Sequence, residues 1–231
     1  MERTLLRIAG GGLVLLLGIL LTAIPQEPPP VAALEPVCSQ SQDQSVQLPC
    51  EIPGTDLIAR SLSDYDGNFL EDGGERLVCG VAALIIENTG EALNWAQVRL
   101  QTHGGYLTFT ATMLPAGSSV MVLEESGGKY PNGPLTGCSG QVIPATERWE
   151  ESQQLCLTQI DMGTLQVTNL TDGFLQNVRI YFKTYHDDPG IYLGGVTYCV
   201  RIETLEPGQS LKTTPAHYAQ GYSRIVRVHT E

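Results

Sequence analysis

Apolar and polar residues alternate along two similar stretches of the chain. The first reads ALIIENTGEALNWAQVRL over residues 83–100, and the second reads TLQVTNLTDGFLQNVRIY over residues 164–181. An apolar residue at every second position indicates a strand with one buried face. The intervening turns are rich in Asn, Asp and Gly, which tolerate the backbone of tight reversals. The pattern predicts two strand–turn–strand units with cores formed by Leu84, Ile86, Val98, Leu100, Leu165, Val167, Val178 and Ile180.

The likeness continues downstream and indicates an internal duplication. Aligning Asn88 with Asn169 also brings LPAGS at residues 114–118 close to LEPGQS at residues 205–210. Further strands are predicted over residues 106–113, 119–123, 191–204, 210–213 and 224–229, and a short helical turn over residues 146–154. Many short strands separated by turns are typical of antiparallel β-sandwiches. We therefore predict an all-β fold, with one sandwich over residues 55–144 and a second over residues 145–231.

The N-terminal region has a different character. Residues 8–24 read IAGGGLVLLLGILLTAI and contain no charge, so as a helix they would reach about 25 Å, enough to cross a thin hydrocarbon layer. Arg3 and Arg7 precede this segment, which by the positive-inside rule makes residues 1–7 a cytoplasmic tail. We predict an uncleaved transmembrane signal-anchor at 8–24; the alternative is a cleaved signal peptide. Residues 25–54, rich in Pro, are predicted to form an extended stalk.

Charge and cysteine content narrow the class of protein. The 231 residues carry a formal net charge of -12, which repels phosphate backbones, so nucleic acid is not an expected partner. All cysteines follow the apolar segment, on the side of the membrane where disulfides persist. Spacing leaves the connectivity open. The preferred pairing closes each loop within one unit, with buried reduced thiols as the alternative: Cys38 with Cys50, Cys79 with Cys138, and Cys156 with Cys199.

These strand and turn motifs resemble the Ig-like modules of bacterial cell surfaces, of the CARDB and FxLYD kind. The likeness rests on the Asn-Thr-Gly turn at residues 88–90, the following L-x-x-V-x-[LIV] strand and the later L-x-P-G-x-S segment. It extends from Ala83 to the C-terminus, although the F-x-L-Y-D tetrad itself is missing. The resemblance implies tandem sandwiches used for adhesion, spacing or assembly, and it implies no catalytic residues.

One acidic segment could bind a metal ion. Residues 64–75 read DYDGNFLEDGGE and place side-chain oxygens at the spacing of a calcium loop, but the glycine lies at the wrong position and no helix pattern flanks the segment. The alternatives are a calcium-binding β-loop and a plain acidic reversal. The candidate calcium ligands are Asp64, Asp66, Asn68, Asp72 and Glu75.

Catalytic signatures are missing from the sequence. There is no G-x-S-x-G, H-E-x-x-H or S-x-x-K motif and no P-loop, and His103 and His186 both fall in predicted strand ends or turns. We therefore expect no catalytic activity and no cofactor other than calcium.

The sequence predicts a membrane-anchored, extracytoplasmic interaction or structural protein that serves adhesion, spacing or an envelope complex. Its expected partners are the membrane, through residues 8–24, and a protein of the cell envelope; the oligomeric state stays open. The main alternative is a module that binds carbohydrate or calcium, and the last alternative is a cell-envelope hydrolase.

Overall fold

The computed structural model describes residues 45–146, Trp149 and residues 153–230, and this part of the chain is all-β. Its only helical element is a 3₁₀ turn at Leu70–Asp72. The strands are β1 (Cys50–Glu51), β2 (Leu57–Asn68), β3 (Leu77–Asn88), β4 (Leu93–Thr102), β5 (Gly105–Leu114), β6 (Ser119–Leu123), β7 (Leu135–Pro144), β8 (Leu155–Gln159), β9 (Leu165–Asn169), β10 (Leu175–His186), β11 (Ile191–Leu205), β12 (Ser210–Thr213) and β13 (Ser223–His229). The predicted strands are confirmed to within one residue at most ends.

Several predictions concern segments outside the described residues. The cytoplasmic tail at 1–7, the anchor at 8–24, most of the stalk, Cys38 and most of the helical turn at 146–154 fall there. Within the described residues, no helix has the length and apolar character needed to span a membrane.

The strands form one large sheet and two small ones. The large sheet has seven strands in the order β1-β2-β3-β6-β11-β10-β13. One three-stranded sheet has the order β5-β4-β7, and the other has the order β12-β9-β8. We refer to residues 45–146 as the first half and to residues 153–230 as the second half.

Each small sheet packs against part of the large sheet and encloses a hydrophobic core. The first core contains apolar residues from β2, β3 and β6 on one side and from β4, β5 and β7 on the other. The second core joins β8 and β9 to β10 and β11. The prediction of the core is confirmed, because none of its eight residues is more than 1% exposed: Leu84, Ile86, Val98, Leu100, Leu165, Val167, Val178 and Ile180.

The two halves are not separate bodies. Strands β6 and β11 pair in parallel, Val120 with Tyr192 and Met121 with Leu193, so the large sheet continues from the first half into the second. The described residues accordingly form one compact unit. The predicted boundary at residues 144/145 separates two cores, but it does not separate two independent sheets.

Part of the predicted stalk belongs to the folded region. Val46 forms a bridge with Leu135 of β7, and Cys50 pairs with Ala59 of β2. Ile52 is only 1% exposed and belongs to the first core. The predicted stalk therefore extends too far at its C-terminal end, because the scattered apolar residues of this segment contribute to the core although they show no strand period.

Two asparagines hold equivalent turns in the two halves. Both side chains are buried, with Asn88 0% and Asn169 1% exposed. The Asn88 amide donates to the carbonyls of Glu91 and Pro115, while its oxygen accepts from the N–H of Gly90.

Asn169 makes a matching set of bonds. Its amide donates to the carbonyls of Gly173 and Leu205, and its oxygen accepts from the N–H of Thr171. In each half, the asparagine thus ties its own turn to the downstream proline-glycine segment, the reason Asn recurs at these two positions.

Candidate functional site: a buried lysine at the junction of the two cores

The most unusual side chain in the described region is Lys183 of β10, which is 0% exposed. Its Nζ donates to the carbonyl oxygens of Thr112 at 3.0 Å, Gly195 at 3.0 Å and Val196 at 2.9 Å. The hydroxyl of Thr197 lies 3.2 Å from the same nitrogen. A buried ammonium is costly unless acceptors replace its water shell. Here main-chain carbonyls and a hydroxyl surround it.

An irregularity between β10 and β11 creates this position. Phe182 pairs with Tyr198 and Thr184 pairs with Leu193, so residues 194–197 bulge out opposite Lys183. A bulge leaves main-chain groups outside the ladder and changes the direction of nearby side chains. Lys183 occupies the gap and supplies hydrogen-bond donors for the bulge.

Glycine is required where the bulge approaches the first half. Gly194 has a φ of +77°, in the left-handed region that glycine tolerates best. At Gly195, an added Cβ would lie 1.8 Å from the carbonyl oxygen of Thr110. No side chain fits in that space, so the Gly194-Gly195 pair permits direct backbone contact between β11 and β5.

Glu71, in the 3₁₀ turn, approaches the bulge from the other side. Its carboxylate accepts from the N–H of Leu123 at 2.9 Å and from the N–H of Gly195 at 2.9 Å. Gly195 thus donates to Glu71 while its carbonyl accepts from Lys183. A single residue of the bulge, Gly195, is therefore held by both charged side chains through its two main-chain polar groups.

Thr112 and Thr197 complete the network. The Thr197 hydroxyl donates to the Thr112 carbonyl at 2.9 Å, and the Thr112 hydroxyl lies 2.9 Å from the Gly195 carbonyl. We call Glu71, Thr112, Lys183, Gly195 and Thr197 the junction. Its members come from both halves, so it fastens the first half to the second.

Burial changes the proton affinity of both charged groups. It lowers the pKa of Lys183 from its ordinary 10.5 to about 7, and the charge of Glu71 opposes part of this change. Burial also raises the pKa of Glu71, against the hydrogen bonds from Leu123 and Gly195 and the charge of Lys183. The two groups stabilise each other's charged forms in a site that otherwise disfavours charge.

A lysine with a lowered pKa is also what a catalytic base or nucleophile requires. Lys183, however, has no exposed surface, and its Nζ points at carbonyl oxygens of the protein itself. A substrate would have to displace the β11 bulge to reach it. This geometry suits a structural fastener better than a reacting group.

The predicted calcium ligands lie near the junction in sequence but are not gathered into a site. Asp64, Asp66 and Asn68 lie on the exposed side of β2, and Glu75 is exposed in the following turn. No group of three or more His, Cys, Asp or Glu side chains suited to a metal ion occurs among the described residues.

Two of these carboxylates already have partners within the protein. Asp66 accepts from the N–H of Gly80, and its hydrogen bond with the thiol of Cys79 is the main cause that lowers its pKa. Asp72 accepts from the N–H of Gly74 and from Arg76. Asp66 thus binds the facing strand β3, and Asp72 holds its own turn.

The cysteines are not arranged as the preferred pairing predicted. None of the five described cysteines forms a disulfide bond. Cys138 lies beside Cys50, with 3.6 Å between the sulfur atoms, rather than beside Cys79. Cys79, Cys156 and Cys199 are exposed.

Sequence reasoning missed the junction entirely. Two signals could have indicated it: the Gly194-Gly195 pair inside an alternating strand, and Lys183 inside a run of aromatic strand residues. Neither signal reveals that residues 71 and 112 lie opposite.

Comparison with known proteins adds no relative that could assign this site. No known family model matches the chain, and no curated protein matches it significantly. The class of protein follows from the structure alone: an all-β protein in which two cores share one sheet and a buried lysine fastens the halves together.

Proposed function

We propose that the protein is a non-catalytic structural or interaction protein on the outer face of a bacterial cytoplasmic membrane, anchored there by residues 8–24. Its folded region consists of two tandem Ig-like β-sandwiches joined into one rigid body. It acts in adhesion, in spacing or as an accessory part of an envelope complex.

The observation that carries this proposal is the junction. Lys183 uses its hydrogen bonds to connect β10 and the β11 bulge to β5, and Glu71 connects the same bulge to β6. Mobile linkers usually separate domains that move in function. A buried charged network with close backbone contact instead fixes the orientation of the halves, which suits a spacer or scaffold.

Two further features support the tandem sandwich description. The matched bonds of Asn88 and Asn169 fit one ancestral unit that was duplicated. Each unit has its own core between a small sheet and a part of the large sheet. The resemblance of the strand and turn motifs to CARDB and FxLYD modules points to the same interpretation.

Sheet edges are the expected binding surfaces. Among the described residues, β13 ends the large sheet and β8 ends a small sheet, each with a partner strand on one side. An extended segment of a partner could add to such an edge through main-chain hydrogen bonds. Both edges belong to the second half, which the junction would hold in a fixed orientation relative to the first half.

Location is tested first. The full chain, with a C-terminal epitope tag, is expressed in a bacterial host, and the cells are converted to spheroplasts. We expect the tag to be recovered in the membrane fraction. We also expect protease added to intact spheroplasts to digest it. A tag that stays protected, or that appears in the cytosol, would contradict the proposed location.

The interaction role is tested by cross-linking the full chain in intact membranes, followed by mass spectrometry. We expect one envelope protein to be recovered in stoichiometric amounts. Lys183→Met should weaken its recovery, whereas Lys212→Met, which changes an exposed lysine of β12, should not. Enrichment of glycans without any protein would instead favour the carbohydrate-binding module.

A further inference from the structure

The segment at the start of the described residues crosses from one sheet to the other. The N–H of Val46 donates to the carbonyl of Leu135 in β7, which belongs to a three-stranded sheet. Four residues later, Cys50 pairs with Ala59 of β2 in the seven-stranded sheet. Residues 46–51, which we call the entry segment, therefore span the gap between the two sheets that enclose the first core.

A pair of thiols lies where this segment crosses. Cys50 belongs to β1, and Cys138 lies in the middle of β7, where it pairs with Leu100 of β4. Both cysteines are half-buried and pack against the first core. Their sulfur atoms are 3.6 Å apart although the residues are 88 positions apart in the chain.

This separation is close to what a covalent bond requires. A disulfide bond holds its sulfur atoms about 2 Å apart. The Cys50 thiol is directed at the Cys138 sulfur, while the Cys138 thiol donates to the carbonyl of Glu51 at 3.8 Å. The two sulfur atoms must approach by about 1.5 Å for the bond to form. No other pair of the described cysteines brings its sulfur atoms into contact.

We propose that Cys50 and Cys138 form a disulfide bond that staples the entry segment to β7 and closes the two sheets of the first sandwich. The bond would lie close to the N-terminal end of the described residues. It would resist peeling of β1 from the sheet when the N-terminal side of the chain is pulled. The inference goes beyond the proposed function, because it concerns a covalent modification that can form in any oxidising solution.

The chemistry needs a low-molecular-weight disulfide such as oxidised glutathione. The thiolate of Cys138 attacks one glutathione sulfur, forms a mixed disulfide and releases one glutathione thiolate. The thiolate of Cys50 then attacks the Cys138 sulfur and releases the second glutathione. The two protein protons end on the two glutathione thiols; the protein loses two electrons and the reagent gains them.

The environment of Cys50 sets the order of these steps. Burial, together with the neighbouring Cys138 thiol, raises the pKa of Cys50 to about 12. Because the thiolate is the attacking species, Cys50 is a poor first nucleophile near neutral pH. Attack by Cys50 on the mixed disulfide also requires its thiolate, so the rate of this step should rise with pH.

The test uses the full chain in detergent, equilibrated with oxidised and reduced glutathione, then alkylated, digested without reductant and mapped by mass spectrometry. We expect nearly all molecules to carry a peptide that joins Cys50 to Cys138. Complete alkylation of both cysteines after oxidation would overturn the proposal. So would dominant pairing of Cys50 with Cys38 or of Cys138 with Cys79.

Stability provides a second measurement. Oxidation should raise the unfolding midpoint by roughly 5–15 °C, because the bond closes a long loop. Cys138→Ser should lose this rise, while Cys156→Ser, which changes an exposed cysteine, should keep it. If Cys138→Ser fails to fold, the peptide map of the unaltered chain still decides the question. Because glutathione is supplied in vitro, a wrong membrane location would leave both results unaffected.

Discussion

Replacing Lys183 by Met removes the charged centre of the junction and keeps a side chain of similar length. Nζ donates to three main-chain carbonyls in the folded protein. Each buried carbonyl that loses its donor costs about 1 kcal/mol, and together they cost about 3 kcal/mol. Removing a buried ammonium recovers part of its desolvation cost. We expect a net destabilisation of about 2 kcal/mol, which corresponds to a fall of about 4–8 °C in Tm.

The assay is urea unfolding of the full chain in detergent, followed by circular dichroism and by the fluorescence of the two tryptophans, Trp95 in β4 and Trp149. Lys212→Met is the matched control and should change the free energy of unfolding by less than about 0.5 kcal/mol, because Lys212 is exposed. If Lys183→Met is as stable as this control, or more stable than the parent, the network does not hold the halves together. The interpretation of the junction as a fastener would then be wrong.

Three further outcomes are expected. The free energy of unfolding should rise from about pH 7 towards pH 9, because Lys183 binds its proton less tightly in the folded state, where its pKa is about 7 against an ordinary 10.5. Urea denaturation at several pH values should show that Lys183→Met lacks this rise. Asn88→Ala and Asn169→Ala should each lower the free energy of unfolding in urea by about 2 kcal/mol, since each leaves buried main-chain groups without partners. A decrease for only one of the two variants would contradict the equivalence of the two asparagines. Gly195→Ala should lower Tm by about 6 °C or more, because its Cβ would meet a main-chain oxygen at 1.8 Å. Gly173→Ala should leave Tm unchanged, because no atom lies within 4 Å of the position of its Cβ.

The strands and cores could be predicted from the sequence because their signal is local. Alternation places Leu84 and Ile86 on one face of a strand whatever lies opposite, and the same holds for Leu165 and Val167. The turns were also readable, because Asn and Gly tolerate a backbone that other residues avoid. These signals need no knowledge of which strands become neighbours.

Predicting the junction, in contrast, requires knowing which strands become neighbours. Parallel pairing of β6 with β11 joins strands about 70 residues apart, and no turn chemistry specifies it. Lys183 reads as a surface residue, since an isolated lysine is almost never fully buried. Its hydrogen-bond acceptors come together only because the fold places the bulge of β11 next to Thr112 of β5.

The entry segment was missed for a related reason. Val46 and Ile52 lie in a stretch dominated by Pro, Gln and Ser, where composition favours an extended linker. Their burial depends on residues much later in the chain, because Val46 pairs with Leu135 of β7 and Ile52 packs in the first core. The proximity of Cys50 to Cys138 also depends on β7, because the two cysteines are 88 positions apart in the chain. Loop length gave no sign of this proximity and favoured other pairings.

Native-state hydrogen exchange in low urea measures the coupling of the two halves most directly. If the shared sheet and the junction make one rigid body, the buried amides of Val98 in the first core and Val178 in the second should open with the same free energy and the same dependence on urea. Opening of the second core at a distinctly lower free energy, with the first core still protected, would show that the halves unfold independently.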